Sequence, residues 1–309
     1  MGNYSIRVIE KIIVLFIAMI AGFIAKKGKL INVESTKSLS SLLVYITNPC
    51  LIIYSMQMDY DSDVLFVAGC VFLLSIAIHT FLAIFSHFVF KPVKNKSERS
   101  VYTYALTYSN CGYMGYPIMM AIFGNEVGLF YGVIFTVGFN LFSWTHGVIV
   151  MNNKAGIPWK KLVYNPALIS VILSIILFIT RIRFPKTITD GLSLVGDMTF
   201  PLSMVIIGSL LADMKLLEIL KQKKLYLFSL LGLIGMPAIM TLVAVISGLP
   251  EYLSIIGITM CAAPVAANTA VTAEVYGNDS ALAARLVGIT TLFCLVTMPL
   301  MLWISQIVL

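Results

Sequence analysis

Charged residues are scarce in this sequence: they make up 11% of its 309 positions, whereas hydrophobic residues make up 59%. A soluble globular domain carries roughly 25% charged residues, so this chain has too little polar surface to enclose its apolar residues in one water-soluble core. Paired cysteines are also missing, because the five cysteines lie singly in apolar segments. Their spacing indicates neither a disulfide framework nor a zinc site.

The sequence also lacks the motifs of common catalytic and metal sites. It contains no GxSxG or HExxH pattern and no filter sequence of a channel, which argues against a membrane-embedded enzyme, a metal centre or a selective pore. His79, His87 and His146 show no ligand spacing, and we expect structural roles for them. We therefore predict no enzymatic activity, no metal and no cofactor.

Long apolar runs are what the sequence has in abundance. A helix that rises about 1.5 Å per residue needs roughly 20 apolar residues to cross a hydrocarbon layer of about 30 Å. Ten such runs predict an all-α integral membrane protein with ten transmembrane helices. The predicted spans lie near Ser5 to Ala25, Leu39 to Met58, Val64 to Phe90, Val101 to Phe123, Val127 to Met151, Leu162 to Thr180, Ile188 to Leu211, Leu225 to Ser247, Tyr252 to Tyr276 and Ala281 to Leu309.

Basic residues are concentrated in alternate loops. Most Lys and Arg residues follow spans one, three, five and seven, whereas the loop after span two carries Asp59, Asp61 and Asp63. Cytoplasmic loops keep positive charge during insertion, so the odd-numbered loops are predicted to be cytoplasmic. We therefore expect a multi-pass protein of the cell membrane with both termini outside. The formal charge of +7 then reflects topology, and no nucleic-acid partner is predicted.

The two halves of the chain share a weak internal repeat. The tripeptide GNE after span four matches GND after span nine at an offset of 153 residues, and Pro49 matches Pro201 at an offset of 152. Because each half contains an odd number of spans, the halves must run in opposite directions through the membrane. The sequence predicts two inverted five-helix repeats, residues 1–153 and 154–309, and inverted repeats are a known basis for alternating access.

Spans four and nine contain residues that disrupt a helix at membrane depth. Span four has SNCGYMGYP from Ser109 to Pro117, and span nine has CAAPVAANTAVTAE from Cys261 to Glu274. Proline removes a backbone donor and clashes with the preceding turn, so both helices are predicted to unwind near the bilayer midplane. A water-filled site would satisfy the freed backbone, and half-helix amino termini that point into it would attract a small anion. The alternative is a kinked helix packed through its small residues.

A few polar residues are predicted to lie within the membrane, where an unpaired charge costs at least a few kcal/mol. Asp197 in the middle of span seven is a functional candidate, with a helix–helix hydrogen bond as the alternative. Glu274 in span nine and Arg285 in span ten are predicted either to pair with each other or to serve proton coupling. Asn48, before Pro49, either lines a polar site or holds two helices together.

Several motifs occur in a characteristic order along the chain. They are KKGKL at Lys26 to Leu30, YITNPCLII in span two, SNCGYMGYP in span four, Asn165-Pro166 before span six, Asp197 with the Met-rich stretch to Gly208, and CAAPVAANTAVTAEVYGND in span nine. In these motifs the sequence resembles bacterial members of the auxin efflux carrier family, which are related to plant PIN-formed carriers and to malate or malonate permeases. The resemblance covers essentially the whole chain.

This resemblance implies a fold like that of PIN-formed carriers and bile-acid symporters. Spans one, two, six and seven would form a scaffold that also makes a homodimer, and spans three to five and eight to ten would form a moving transport unit. The broken fourth and ninth helices would cross, with substrate beside the crossing; the plant pattern usually has proline where this chain has Ser109. The candidate substrate-binding residues are Ser109, Asn110, Cys111, Gly112, Tyr113, Pro264, Val265, Ala266, Asn268, Thr269 and Asn48.

The leading functional prediction is a secondary carrier that binds a small mono- or dicarboxylate at the crossing and exposes it alternately to each side, by an elevator-like or rocking movement. No arginine at the crossing is available to bind a carboxylate through two hydrogen bonds. A neutral or weakly acidic substrate is therefore an alternative. Sodium-coupled symport is the second hypothesis, with oxygen ligands from Asn268, Thr269, Thr272 and Glu274. A membrane-embedded sensor or enzyme is the alternative from another class.

Overall fold

The computed structural model describes residues 4–59, 61–152, 166–214 and 221–309. Within these ranges the chain is helical, and helical segments lie at all ten predicted positions. The start of predicted span six, Asn165 and the boundary predicted between the two halves fall outside the described residues. The helices are α1 (Tyr4–Lys27), α2 (Val33–Ser55), α3 (Ser62–Phe90), α4a (Lys96–Thr107), α4b (Cys111–Phe123), α5 (Asn125–Met151), α6 (Pro166–Ile179), α7 (Lys186–Ala212), α8 (Lys223–Ser247), α9a (Glu251–Ala262), α9b (Thr269–Val275) and α10 (Ser280–Val308).

Seven of the described helices, α1, α2, α3, α5, α7, α8 and α10, are long and apolar enough to cross a membrane. The helices α4b, α6 and α9a are apolar but shorter. Large hydrophobic side chains such as Ile24, Phe66 and Ile246 are exposed on the outside of the bundle. Such a surface is stable in lipid and unfavourable in water, so the chain is a multi-pass helical membrane protein.

Contacts at the helix ends show how α4 and α9 are oriented. The backbone N–H of Asp279, just after α9b, donates to Ser97 Oγ at the start of α4a over 2.7 Å. The side-chain amide of Asn278 donates to the carbonyl oxygen of Met151 at the end of α5, also over 2.7 Å. Because α4a begins where α9b ends, the two interrupted helices run in opposite directions.

The helices α1 and α7 pack with their backbones in close contact. A Cβ atom at Gly22 would collide with the backbone of Val205, and one at Gly208 would collide with the backbone of Met19. Small residues allow this approach, which is how helices commonly associate within membranes. The helix α2 packs against α6 and α7, and α3 packs against α4a and α5.

Four described helices contain a π-helical turn: residues 43–47 in α2, 111–115 at the start of α4b, 143–147 in α5 and 231–235 in α8. A π turn redirects side chains and frees carbonyl groups for other partners, and such turns are frequent at functional sites. In α5 the Phe142 carbonyl oxygen, just before the turn, accepts a hydrogen bond of 2.8 Å from the Tyr108 hydroxyl. Three of the four turns border the cavity of about 470 Å³ that is described next.

Candidate functional site

The two helix interruptions meet each other inside the bundle. The Asn110 N–H donates to the Pro264 carbonyl oxygen over 2.6 Å, and the Ala266 N–H donates to the Tyr108 carbonyl oxygen over 3.1 Å. These two hydrogen bonds flank a short antiparallel pairing of Ser109 with Val265. Each interrupted helix therefore supplies hydrogen-bond partners for backbone groups that the other helix leaves unpaired. Irregular backbone is stable at membrane depth only when its polar groups are paired in this way.

Side chains from neighbouring turns fix the crossing from both sides. The Ser109 hydroxyl donates to the Met260 carbonyl oxygen over 2.8 Å, and the Val265 N–H donates to Thr290 Oγ1 over 3.1 Å. Pro264 has no N–H group, so its position in the extended segment leaves no donor unpaired. The crossing is thus a hydrogen-bonded, specifically shaped junction, and the predicted interruption is more than a simple kink.

A cavity of about 470 Å³ lies against the crossing, within the size range of small-molecule sites. Helices α2, α4b, α5 and α9b form most of its wall. Seven of the predicted substrate-binding residues line it: Asn48, Ser109, Asn110, Gly112, Tyr113, Ala266 and Asn268. The side chain of Asn48 enters from α2, so the wall combines residues from both predicted units.

The remaining predicted substrate-binding residues lie elsewhere at the crossing. Cys111 is buried behind the cavity wall, because it starts the π turn of α4b with its side chain directed inward. Pro264 and Val265 border a separate void of about 20 Å³ on another side of the junction, next to His79. Thr269 is fully buried at the start of α9b, and its hydroxyl has no hydrogen-bond partner.

Two amide side chains at the cavity each have one buried atom without a hydrogen-bond partner. Asn110 is 4% exposed and its Nδ2 atom makes no hydrogen bond; Asn48 is 9% exposed and its Oδ1 atom accepts none. Buried polar groups are normally paired, so an orphaned amide at a cavity wall indicates that a ligand or water completes it. The first N–H groups of α4b, beside Asn110, also lack intrahelical acceptors. These donors make this corner attractive to negative charge.

No Lys, Arg, His, Asp or Glu is present among the described residues that line the cavity. Polarity comes from amides and hydroxyls instead, including Asn140, Ser143 and Thr272. Aromatic side chains form much of the remaining wall, and our sequence interpretation did not include them: Tyr45, Tyr104, Tyr116, Phe139, Trp144 and Tyr276. Asn140 and Trp144 could have been predicted as cavity residues from the sequence, since polar and amphipathic residues in the middle of an apolar span are unusual.

The three predicted ionisable residues lie away from the cavity. Asp197 is exposed on the outside of α7, where the Ser193 hydroxyl donates to its Oδ2 atom over 3.4 Å. Glu274 is exposed on α9b, and Arg285 has a buried Nε atom without a partner. Among the described residues the structure forms one ion pair, between Lys26 and Asp213, so the expected Glu274–Arg285 pair is not formed. Its absence has a physical reason, because Arg285 lies near Tyr102 of α4a while Glu274 faces outward.

His79 is buried and His146 is half-buried, and both have local partners. His79 Nδ1 lies 2.8 Å from the Ser75 carbonyl oxygen one turn earlier in α3. His146 Nδ1 lies 3.0 Å from the Tyr108 hydroxyl, whose proton already goes to Phe142, so the imidazole is the donor. Both histidines therefore support Tyr108, the residue that begins the crossing.

A multi-pass membrane protein with a cavity at two crossing, interrupted helices belongs structurally to the class of membrane transporters. The sequence model described as membrane transport protein matches residues 7–157 and 153–302. The chain belongs to this family, that of the auxin efflux carriers. It is also similar to the uncharacterized transporter MJ1031 of Methanocaldococcus jannaschii, with 25% identity over 319 aligned positions that cover 96% of this chain and 98% of that protein.

Proposed function

We propose that the protein is a secondary carrier that binds a small organic anion beside the crossing and exposes it alternately to the two sides of the membrane. The observation that carries this proposal is the unpaired Nδ2 group of Asn110, buried at a cavity of about 470 Å³. The amide lies next to the amino terminus of α4b, where N–H groups carry partial positive charge. A carboxylate placed there would give all of these donors an acceptor.

The wall composition favours a monocarboxylate over a dicarboxylate. Without Arg or Lys among the described lining residues, a second carboxylate would enter the cavity without a counter-charge, at a large desolvation cost. A single carboxylate can be hydrogen-bonded by amide and backbone N–H donors alone. Weak, exchangeable binding of this kind also suits a carrier, which must release its substrate on the opposite side.

Three observations support two inverted five-helix halves, residues 1–153 and 154–309, with ten membrane-crossing spans. Thr199 Oγ1 donates to Thr47 Oγ1 over 3.1 Å, and these residues are separated by 152 positions, the same offset as the repeated prolines. The helices α4 and α9 run in opposite directions, as inverted halves require. The two hydrogen bonds that flank Ser109 and Val265 form a symmetric pair, as expected at a local two-fold axis.

We propose that α1, α2, α6 and α7 form a scaffold and that α3 to α5 and α8 to α10 move against it as one unit. The glycine contacts between α1 and α7 support a rigid scaffold, and the two crossing segments are hydrogen-bonded to each other within the unit. The cavity reaches Val148 near the end of α5 and Val275 and Tyr276 at the end of α9b. The end of α9b is hydrogen-bonded to the start of α4a and the end of α5, which adjoin basic loops. This extent supports a state that is open toward the cytoplasm. The charges of the loops support the part of the proposal that has both termini outside the cell.

A homodimer through the scaffold is part of this proposal. Asp197 is exposed near the middle of α7, and a carboxylate that faces lipid costs at least a few kcal/mol. A second copy that packs on this face would remove Asp197 from lipid. Single-molecule photobleaching of labelled protein in liposomes should show two-step traces, and predominantly one-step traces would contradict the dimer.

The function can be tested with purified protein in liposomes. We expect one or more small monocarboxylates to raise the melting temperature and to show counterflow transport, and dicarboxylates to do so less. Gly112→Val is the variant that should block the site, because a Cβ atom at Gly112 meets only the Tyr116 ring, at 3.9 Å, and position 112 lines the cavity. This variant should fold and lose transport. If no organic acid is transported, or if Gly112→Val transports as well as the wild type, the proposal is wrong.

Sodium coupling is the second candidate, because three buried hydroxyl oxygens of α9 and α10, in Thr259, Thr269 and Thr291, lack hydrogen-bond partners. Hydroxyl and carbonyl oxygens are suitable ligands for a hard cation. The same liposome assay with and without a sodium gradient, and at two pH values, distinguishes sodium-driven, proton-driven and uncoupled transport. Transport that requires sodium and fails in Thr269→Val would support the sodium hypothesis.

A further inference from the structure

An apolar groove of about 290 Å³ lies on the side of the bundle, separate from the cavity at the crossing. It is bordered by Met56 just after α2, the first half of α3, the first half of α5 and the end of α6. All of its described lining residues are apolar, among them Met56, Gly69, Phe72 and Ile179. The groove is therefore unsuited to a polar solute. Because its lining residues Gly69 and Ile179 are exposed on the outside of the bundle, it is accessible from lipid.

Hydrogen-bond donors are present at one end of this groove. The Arg183 guanidinium donates through Nη1 to the carbonyl oxygen of Met56 over 2.8 Å, and Met56 itself lines the groove. A guanidinium has five N–H donors arranged to match phosphate oxygens, and this bond uses one of them. Next to it, Gln57 accepts from the Phe184 N–H through Oε1 over 2.9 Å, while its buried Nε2 has no partner.

We propose that this groove binds one phospholipid, with an acyl chain along Gly69 and Phe72 and the headgroup phosphate at Arg183 and Gln57. The two parts of the site match the two parts of such a molecule. An acyl chain that enters the groove from the bilayer exchanges lipid contacts for contacts with apolar side chains, so it occupies the groove without a desolvation cost. A phosphate gains charge-assisted hydrogen bonds from the guanidinium and gives the Gln57 amide an acceptor.

Glycine at position 69 keeps the groove open. A Cβ atom at Gly69 would meet no other atom within 4 Å, so packing does not require glycine at this position. A larger side chain at this position would occupy the groove without colliding with the backbone. Gly69→Leu is therefore a variant that should fold and block the site.

The groove also lies between α2 and α6 on one side and α3 and α5 on the other. In the proposed function, α2 and α6 belong to the scaffold and α3 and α5 to the moving unit. A lipid bound between them would then influence their relative movement, and this consequence rests on the proposed function. The binding site itself does not depend on transport. Lipid binding is for this reason the primary measurement, and its result is independent of whether a substrate is found.

The test uses native mass spectrometry of the purified full-length protein titrated with phosphatidylglycerol, and with diacylglycerol as a lipid without phosphate. The wild type should retain phosphatidylglycerol preferentially. Gly69→Leu should reduce this binding by about tenfold, and Arg183→Gln by about fivefold with loss of the preference over diacylglycerol. The control is Ala77→Leu, which adds the same side chain to an exposed position of α3 outside the groove and should bind as the wild type does.

Each outcome decides one part of the proposal. If Gly69→Leu binds phosphatidylglycerol as well as Ala77→Leu does, the acyl chain does not occupy the groove and the proposal is overturned. If Arg183→Gln keeps the preference for phosphatidylglycerol over diacylglycerol, the phosphate is bound elsewhere and the headgroup assignment is wrong. Unchanged melting temperatures for the free variants would show that the losses come from the site.

Discussion

The α4 side and the α9 side of the crossing have similar backbones but different chemistry. Asn110 on the α4 side is buried with an unpaired amide, whereas Asn268 on the α9 side is exposed in the cavity. The half-helix α4b continues to Phe123, while α9b has only seven residues. A longer helix that starts at the cavity has a more complete dipole and more first-turn donors directed at a ligand.

The two sides are also held by different helices, since Tyr108 on the α4 side is held by Phe142 and His146 of α5, whereas α10 holds the α9 side. Its extended segment is held by Thr290 of α10 through the Val265 N–H, and Ser109 reaches it through Met260. The comparison suggests a division of roles in which the α9 side fixes the junction and the α4 side binds the charged end of the substrate. Variants at paired positions can test this division.

The largest effect is expected at Asn110. Replacement with alanine removes a donor to the anion, and we expect a loss of about 30-fold in substrate affinity, equivalent to roughly 2 kcal/mol. Asn268→Ala, at the more exposed position, should lose only about threefold. Liposome transport and ligand-induced melting shifts measure both variants.

The ligand-free stability of Asn110→Ala separates binding from structure. The amide Nδ2 has no partner in the protein, so its removal should leave the melting temperature unchanged or higher. A marked destabilisation of the free protein would mean that Asn110 is structural, and equal losses of affinity in both asparagine variants would remove the proposed asymmetry.

The second effect is on stability at the α9 side. Thr290→Val leaves the buried Val265 N–H without an acceptor, and we expect a loss of about 1–3 kcal/mol in the free energy of unfolding. Thr291→Val is a closely matched control, because Thr291 is equally buried but its hydroxyl has no partner. Chemical denaturation in detergent should show Thr291→Val to be neutral or stabilising. Equal effects of the two variants would contradict the support role of Thr290.

A smaller effect is expected at Ser109. Alanine at this position removes the hydrogen bond to the Met260 carbonyl oxygen, which should cost about 1 kcal/mol of stability. Ser174→Ala is the comparison, since that hydroxyl bonds only within its own helix. A Ser109→Ala variant with unchanged stability and unchanged transport would show that the backbone pairing with Val265 suffices to hold the junction.

The smallest effect is expected at Glu274. The carboxylate is exposed on α9b and does not line the cavity, so Glu274→Gln should change transport less than about twofold at both acidic and neutral pH. Transport measured under an imposed proton gradient is the decisive assay. If the gradient drives uptake in the wild type but not in Glu274→Gln, Glu274 couples transport to protons and the α9 side has a functional charge after all.

Local sequence features allowed the interruptions to be predicted, but not the pairing of distant side chains. Pro264 and the glycines after Asn110 are incompatible with regular helix wherever they occur, so the breaks could be located without a structure. The Glu274–Arg285 pair was predicted from proximity along the chain, and it fails because rotation about each helix axis decides which way a side chain faces. The π turns in α2 and α5 had no recognisable signal, yet they turn Tyr45 and Trp144 toward the cavity.

The sequence by itself determined the membrane class, the positions of the helices and the interruption of α4 and α9, because apolar run length and backbone chemistry are local properties. Only the tertiary structure decided that the two interruptions pair through Ser109 and Val265, that Asn110 is left unpaired, and that Asp197 faces outward. These outcomes depend on how packed helices are rotated and displaced relative to one another, and the residues involved are far apart in the chain.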